Sequence, residues 1–178
     1  MIWKSPDDDT RAPKEYILRP ASPLWVAATL GISLLLNIVL KRELWVPDFL
    51  ALTLIFWTLR QPDWIGLAAA FFFGILMDVQ QGSLLGQHAL AYVMLSYLSD
   101  RLSKRLSWFS PIAQGLHLLP LLLFTQVIVL VIRMWGVHTW PQWTWFLSSV
   151  FAVLLWPIWS WILQMPQRKT KTPDVGRL

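Results

Sequence analysis

The chain has 178 residues, of which 56% are hydrophobic and only 14% are charged, and its mean hydropathy is +0.50. A soluble domain needs polar surface to cover its core, and this composition supplies too little. Six membrane spans of about 20 residues would also use most of the chain, which leaves no room for a sizeable soluble domain. The net charge of +5 comes from basic residues that flank apolar blocks, which indicates membrane topology rather than nucleic-acid binding. The absence of cysteine excludes disulfides, thiolate metal sites and cysteine nucleophiles.

Three regions are predicted along the chain. Residues 1–21 are polar, carry three prolines and lack the apolar run of a cleavable signal peptide, so we expect a mobile cytoplasmic extension. Residues 22–163 are predicted to form the transmembrane domain, and residues 164–178 a basic cytoplasmic tail. The apolar blocks predict six transmembrane helices, over residues 22–40, 44–59, 64–79, 84–98, 111–132 and 142–163. Pro47 would lie in the first turn of the second helix, where a missing N–H is tolerated.

The distribution of lysine and arginine predicts that both termini are cytoplasmic. With the N-terminus inside, twelve of the 15 basic residues fall in cytoplasmic segments, and three fall in the external loops 41–43 and 133–142. These three are Lys41, Arg42 and Arg133. The bias follows the positive-inside rule, whereas five or seven spans would place either the basic head or the basic tail outside.

The most informative stretch has a small or acidic residue at every fourth position: Gly74, Asp78, Gly82 and Gly86. While the chain stays helical these residues share one face, and small residues on a face let another helix approach closely. A carboxylate near the end of a membrane span is costly unless it is hydrogen bonded or wet. Three roles for Asp78 stay open. It could order the hairpin turn, in which Gly82 would supply an unusual φ. It could instead be a proton or substrate site, or a contact to a partner.

The first and second roles predict different responses to one substitution. If Asp78 orders the turn by accepting hydrogen bonds, Asp78→Asn should keep much of that geometry. A proton-coupling carboxylate would not tolerate the change, because an amide does not titrate.

The other polar residues of the spans favour structural interpretations. Asp48 follows Pro47 at a helix start, where an acid caps the positive helix end. Asn37 is interpreted as an interhelical hydrogen-bonding residue, and His88 and His117 as packing residues without a metal-binding pattern. Arg133 is expected to reach toward lipid head groups. No nucleotide-binding, metalloprotease or nucleophile-elbow motif occurs in the chain.

The pattern G-x-x-x-D-x-x-x-G-x-x-x-G from Gly74 to Gly86, followed by an apolar helix, resembles the signature of the MreD family of bacterial rod shape-determining membrane proteins. The upstream sequence Pro47-Asp48-Phe49-Leu50 is also similar to that family. The resemblance covers roughly residues 22–163 and includes the size and the six-span plan.

The resemblance implies an all-α membrane protein, a compact six-helix bundle similar to the substrate-binding subunits of energy-coupling-factor transporters. It implies a non-enzymatic scaffold of the cell-wall elongation machinery in the bacterial cytoplasmic membrane. The implied partners are an MreC-like bitopic membrane protein and, indirectly, MreB filaments and the peptidoglycan polymerase and transpeptidase. No cofactor, metal or catalytic residue is implied. The structural or partner-contact candidates are Asp48, Gly74, Asp78, Gly82 and Gly86.

The alternative function is a small-molecule transporter or its membrane-embedded substrate-binding subunit. A six-helix bundle can enclose a pocket, but such a pocket calls for convergent polar residues at mid-depth. In this chain most acids lie near the predicted ends of the spans.

Overall fold

The computed structural model describes residues 22–40, 46–61, 66–106, 108–137 and 142–167. These residues form six α-helices and a short 3-10 helix, Met165–Gln167, and contain no strand, which confirms the all-α class. The helices are α1 (Pro23–Leu40), α2 (Phe49–Arg60), α3 (Leu67–Gln81), α4 (Gln87–Leu106), α5 (Pro111–Val137) and α6 (Thr144–Gln164). The predicted extension 1–21, the loop 41–43 and most of the predicted tail lie outside the described residues.

Helix α2 is the centre of the bundle. Every residue from Leu50 to Thr58 is buried, and the helix packs against α1, α4 and α6. Trp57 is fully enclosed and donates its indole N–H to Thr29 Oγ1 on α1 at 2.9 Å. A helix that is apolar all round is stable where other helices cover every face, which is the position that α2 occupies.

Helices α1, α5 and α6 carry the apolar surface of the bundle. All three are long and apolar enough to cross a membrane, with lengths of 18, 26 and 21 residues in their apolar stretches. They expose large aliphatic side chains, including Leu35, Ile112, Val131 and Leu154. Contiguous apolar surface of this kind is unfavourable in water and favourable against lipid. The structure therefore supports a membrane protein.

The other three helices meet the length and composition of a membrane span less well. Helices α2 and α3 have only 12 and 15 residues, and α4 carries Asp100, Arg101 and Arg105 in its second half. Three candidate spans are thus found among the described residues, and the count of six spans stays a prediction.

Several predicted helix boundaries are wrong, and α5 continues to Val137 instead of ending at residue 132, so it extends into the predicted external loop 133–142. Helix α2 begins at Phe49 rather than at residue 44, so Pro47 precedes the helix instead of lying in its first turn. Asp48 caps this start and fixes it. Helix α4 runs from Gln87 to Leu106 rather than over 84–98. Its charged second half was predicted as a loop, but arginine, lysine and leucine are good helix formers and an emerging helix can continue past the apolar layer.

The turn between α3 and α4 is closed by two glycines with positive φ. Gly82 caps α3 in the left-handed conformation, with φ 60° and ψ 28°, and Gly86 has φ 97°. The N–H groups of Gly82 and Ser83 bond the carbonyls of Val79 and Asp78 at 3.3 and 3.0 Å, which satisfies the end of the helix. The left-handed conformation expected of Gly82 is therefore present.

Gly74 has a different task from the other two glycines. A Cβ atom at Gly74 would overlap the backbone Cα and N of Ala89, so this glycine is where α3 and α4 come into contact. Because α3 ends at Gln81, Gly82 and Gly86 do not lie on the α3 face that carries Gly74 and Asp78. The shared face expected for a continuous helix therefore does not include these two positions, because the chain leaves the helix before it reaches them.

The close approach at Gly74 makes a testable prediction about stability. Gly74→Ala should destabilise the folded protein by roughly 1–3 kcal/mol, because the added methyl group pushes two backbones apart. Gly31→Ala on α1 is the matched control, since a Cβ there meets nothing within 4 Å and alanine is the better helix former. Thermal unfolding of the purified variants in one detergent measures both. Equal unfolding temperatures for the two variants would contradict the assigned contact.

Candidate functional site

Asp78 lies in the last turn of α3 and caps the start of α4 across the glycine turn. Its side chain is fully buried. Oδ2 accepts a hydrogen bond from the N–H of Gly86 at 2.8 Å, and Oδ1 accepts one from the N–H of His88 at 2.8 Å. The N–H of Ala89 is a longer contact to Oδ2, at 3.5 Å. The first N–H groups of a helix have no partner within the helix and carry its positive dipole end, so a carboxylate here satisfies them.

Two side chains complete the surroundings of this carboxylate. The hydroxyl of Ser83 donates to Asp78 Oδ1 at 2.8 Å, and Nδ1 of His88 lies 2.7 Å from the same oxygen. Because an ionised carboxylate only accepts hydrogen bonds, Nδ1 is the ring nitrogen that carries the hydrogen. His88 is 5% exposed, so this is a buried pair rather than a surface contact.

His88 is a buried and hydrogen-bonded residue, as expected, but the carboxylate that bonds it was not anticipated from the sequence. Asp78 and His88 are ten residues apart, and only the tight glycine turn between α3 and α4 brings them together. The signal that could have found the pair was the combination of Asp78, two turn glycines and a histidine at the start of the next apolar block. His117 is the other histidine of the described helices, and it stacks on Phe109 at the opposite end of the bundle.

Asp48 is the N-cap of α2, as its position in the sequence predicted. Its Oδ1 accepts from the N–H of Ala51 at 3.0 Å and from the amide of Asn37 at 2.8 Å, and its Oδ2 accepts from the hydroxyl of Tyr92 at 2.6 Å. Asn37 in turn accepts from the N–H of Phe49 at 3.0 Å. Asp48 therefore connects α1, α2 and α4 at one point, and Asn37 forms the interhelical hydrogen bond expected of it.

The surroundings of Asp48 and Asp78 meet on α4. His88 and Tyr92 are one helical turn apart, and their rings lie 6.0 Å apart between centroids. We call the connected set the polar cluster. Its members are Asn37, Asp48, Asp78, Ser83, His88 and Tyr92. Sequence reasoning missed Tyr92, because a tyrosine in an apolar helix gives no sign of which neighbour its hydroxyl reaches.

A cavity of about 360 Å³ opens beside the polar cluster, bounded by α3, α4, α5, α6 and the segment just before α2. Asp48, His88 and Tyr92 form one wall. Gln126 and Arg133 of α5 also line the cavity, together with Trp145 and Ser148 near the start of α6. The cavity lies at the end of the bundle where α2 and α4 begin and α3 and α5 end.

The five candidate residues thus have two different structural roles. Asp48 and Asp78 belong to the polar cluster and cap α2 and α4. Gly74, Gly82 and Gly86 shape the α3–α4 hairpin that carries Asp78. Among the described residues no group of three or more histidine or acidic side chains could hold a metal ion. The arrangement is one of hydrogen bonds that are satisfied within the protein.

Comparison with known protein families gives a match. Residues 18–166 match the model of the family described as rod shape-determining protein MreD, which covers most of the chain. No curated protein and no solved structure matches the chain.

The geometry at Asp78 changes the expectation for its amide variant. Both carboxylate oxygens accept from backbone N–H groups, so in Asp78→Asn the amide NH₂ must face the N–H of Gly86 or of His88. We expect Asp78→Asn to lower the free energy of unfolding by roughly 1–3 kcal/mol, and Asp78→Leu to lower it further, because unsatisfied buried N–H groups are costly. Thermal unfolding in detergent measures both changes.

Asp100→Asn is the control for this prediction. Asp100 is an exposed carboxylate on α4, and its loss should change stability by no more than about 0.5 kcal/mol. If Asp78→Asn were as stable as the Asp100 control, the capping role of the second carboxylate oxygen would be wrong.

Proposed function

Because this chain belongs to the MreD family of rod shape-determining membrane proteins, we propose that it is a non-enzymatic scaffold of the cell-wall elongation machinery. The observation that carries the scaffold role is the burial and hydrogen bonding of the Asp78 carboxylate. This carboxylate is buried, and its oxygens accept from Ser83, Gly86 and His88, so it holds two helices together. A rigid bundle with satisfied polar groups suits a protein that positions other proteins.

The partners of the scaffold are part of the proposal. An MreC-like bitopic membrane protein would bind directly, and MreB filaments and the peptidoglycan polymerase and transpeptidase would be reached through it. Helices α1, α5 and α6 present apolar side chains outward, such as Leu24 and Ile158, and a bitopic helix would have to pack on such a surface. The protein would act in the bacterial cytoplasmic membrane.

The proposed topology places both termini in the cytoplasm with six membrane crossings. The basic residues support it, since twelve of 15 fall on the side assigned to the cytoplasm. A likeness to the substrate-binding subunits of energy-coupling-factor transporters is part of the same proposal. In that arrangement the polar cluster and the cavity lie at the external end of the bundle.

A small-molecule transporter or substrate-binding subunit is the second candidate function, and the cavity of about 360 Å³ is the observation that favours it. The size falls within the range of roughly 300–1,000 Å³ typical of small-molecule sites. Against it, the two carboxylates at this end already accept hydrogen bonds from the protein. Proton coupling needs a carboxylate that can change its partners.

Reporter fusions test the topology. A reporter fused after Phe109 or after Leu178 should behave as cytoplasmic, and one fused after Glu43 should behave as external, because the basic segments stay inside. Paired reporters that are active on opposite sides of the membrane give each position a positive signal. An external signal after Phe109 or Leu178 would contradict the six-span topology.

Replacement of the chromosomal copy tests the scaffold. Cells that lack the protein should become round, and a tagged copy should restore rods and retain the MreC-like partner after gentle solubilisation. An unrelated multi-span protein with the same tag is the control for non-specific co-purification. If the tagged copy restored rod shape but did not retain the MreC-like partner, the scaffold role would be contradicted. Solute uptake that depends on the protein in reconstituted vesicles would instead favour the transporter.

A further inference from the structure

Helix α4 has one face that the described part of the bundle does not cover. Leu90, Met94 and Tyr97 are 46%, 38% and 42% exposed, although the helix packs against α2, α3 and α5. Arg101 continues the same line and is also exposed. The spacings of four, three and four residues keep these four side chains on one face, which we call the α4 stripe. Alternating steps of three and four are the spacing with which one helix packs along another.

Tyr97 and Arg101 form an ordered part of the α4 stripe. Arg101 Nη2 donates to the hydroxyl of Tyr97 at 3.2 Å, and its guanidinium lies over the Tyr97 ring, 5.2 Å from the ring centroid. The arginine is therefore held along the surface of its own helix by a hydrogen bond and a cation–π contact. Another helix can pack against this pair without first ordering two long side chains.

Asp100 and Arg105 lie beside the α4 stripe, and both are exposed. Within the described ranges no basic side chain lies at ion-pair distance from Asp100, and no acidic side chain lies at that distance from Arg105. If Tyr97 and Arg101 are the d and a positions of a heptad, Asp100 is at g and Arg105 is at the next e. In a pair of parallel helices, a g residue faces the following e residue of the other helix, and opposite charges there stabilise the pair. Asp100 and Arg105 have both the charges and the spacing that this contact requires.

Asp100 lies at the edge of the apolar layer. Gln114 Nε2 donates to the carbonyl of Leu106 at 2.9 Å, which places the end of α4 beside the first turns of α5. Asp100 is about 9 Å further back along α4, beside the apolar stretch of α5 that starts at Pro111. A carboxylate that faces lipid at this level is costly unless a positive charge or water reaches it. A second helix that brings a basic side chain to Asp100 would remove this cost.

We propose that the α4 stripe is the interface between two copies of this chain. Copies that insert in the same direction are related by a two-fold axis along the membrane normal, so their α4 helices run parallel and each stripe meets itself. Leu90, Met94 and Tyr97 pack on their counterparts, and Asp100 of each copy pairs with Arg105 of the other.

The charges beside the α4 stripe favour a second copy over an unrelated helix. The stripe is complementary to itself, because two-fold symmetry forms the pair of Asp100 with Arg105 twice. An unrelated helix would need its own acid and base at the matching levels. The dimer is independent of whether the protein acts as a scaffold or as a transporter, and it leaves the apolar surfaces of α1 and α6 free for other partners.

Cysteine cross-linking in native membranes tests which face forms the interface. Since the chain has no cysteine, a disulfide-linked band at twice its mass reports a contact between two introduced cysteines. Met94→Cys and Tyr97→Cys should give mostly this band under mild oxidation. Leu35→Cys on α1 and Leu154→Cys on α6 are the matched controls, because both are exposed apolar positions away from the α4 stripe. The control variants should stay mostly monomeric.

Charge reversal tests whether the occupant is a second copy. Removal of one exposed charge should change association little, so the charges are reversed instead. Asp100→Arg places two bases opposite each other in the dimer, twice by symmetry, and Arg105→Asp does the same with two acids. Each variant alone should associate about tenfold or more weakly than the unchanged chain. A mixture of the two variants should associate as the unchanged chain does, because an arginine then faces an aspartate in both pairs.

Energy transfer between two fluorescent fusions of the full chain measures this association in vesicles while added lipid dilutes the protein. Arg133→Asp is the control, since it reverses an exposed arginine at the other end of α5, and it should associate as the unchanged chain does. The unfolding temperature of each variant shows that it is folded.

Four results would overturn the proposal. Cross-linking at Leu35 or Leu154 as strong as at the two stripe positions would show that the contacts are not specific to this face. A cross-linked band of another mass would assign the α4 stripe to a different protein. Energy transfer of the unchanged chain no higher than that of a co-reconstituted unrelated membrane protein would show that lipid covers the stripe. Weak association of the mixture, or undiminished association of either folded single variant, would show that Asp100 and Arg105 do not meet across two copies.

Discussion

The carboxylate of Asp78 determines where α4 begins. Where apolar side chains exclude water, the first N–H groups of a buried helix have no water to bond. A buried carboxylate has no water to bond there either. Asp78 resolves both problems at once, because its oxygens accept from Gly86 and His88 N–H groups at 2.8 Å. The position of α4 then determines much else, since this helix packs against α2, α3 and α5. The left-handed Gly82 and the bare backbone of Gly74 are what allow the two helices to approach this closely.

A second carboxylate, that of Asp48, caps the central helix α2 in the same way. Asp48 caps α2 and is itself bonded by Asn37 of α1 and Tyr92 of α4, so three helices are aligned by one side chain. Both acids lie at the same end of the bundle, next to the cavity. The rest of α2 is apolar and enclosed, and its register therefore depends on its polar end. In a bilayer, close packing and interhelical hydrogen bonds drive helix association, and the capped helix starts give it a specific geometry.

Much of this arrangement is encoded in local patterns that one sequence displays. Apolar blocks located all six helices, and an acid after Pro47 predicted the cap of α2, because both signals involve neighbours along the chain. The start of α2, the length of α4 and the partner of His88 were missed. Each depends on contacts between helices, or on charged residues that suit a loop and a helix end equally well. The cavity could not be predicted either, since Gln87, Gln126 and Arg133 are distant in sequence and meet only in the folded bundle.

Amide hydrogen exchange at the start of α4 tests most directly whether Asp78 holds this helix. The N–H groups of Gly86 and His88 should exchange slowly in the unchanged protein, although they precede or begin a helix and would otherwise be free. In Asp78→Asn at least one of them should exchange about tenfold faster or more, while the amides of Leu52 to Phe56 in α2 keep their protection. Equal protection of the α4 amides in both proteins would contradict the account, because the helix start would then be held by something other than this carboxylate.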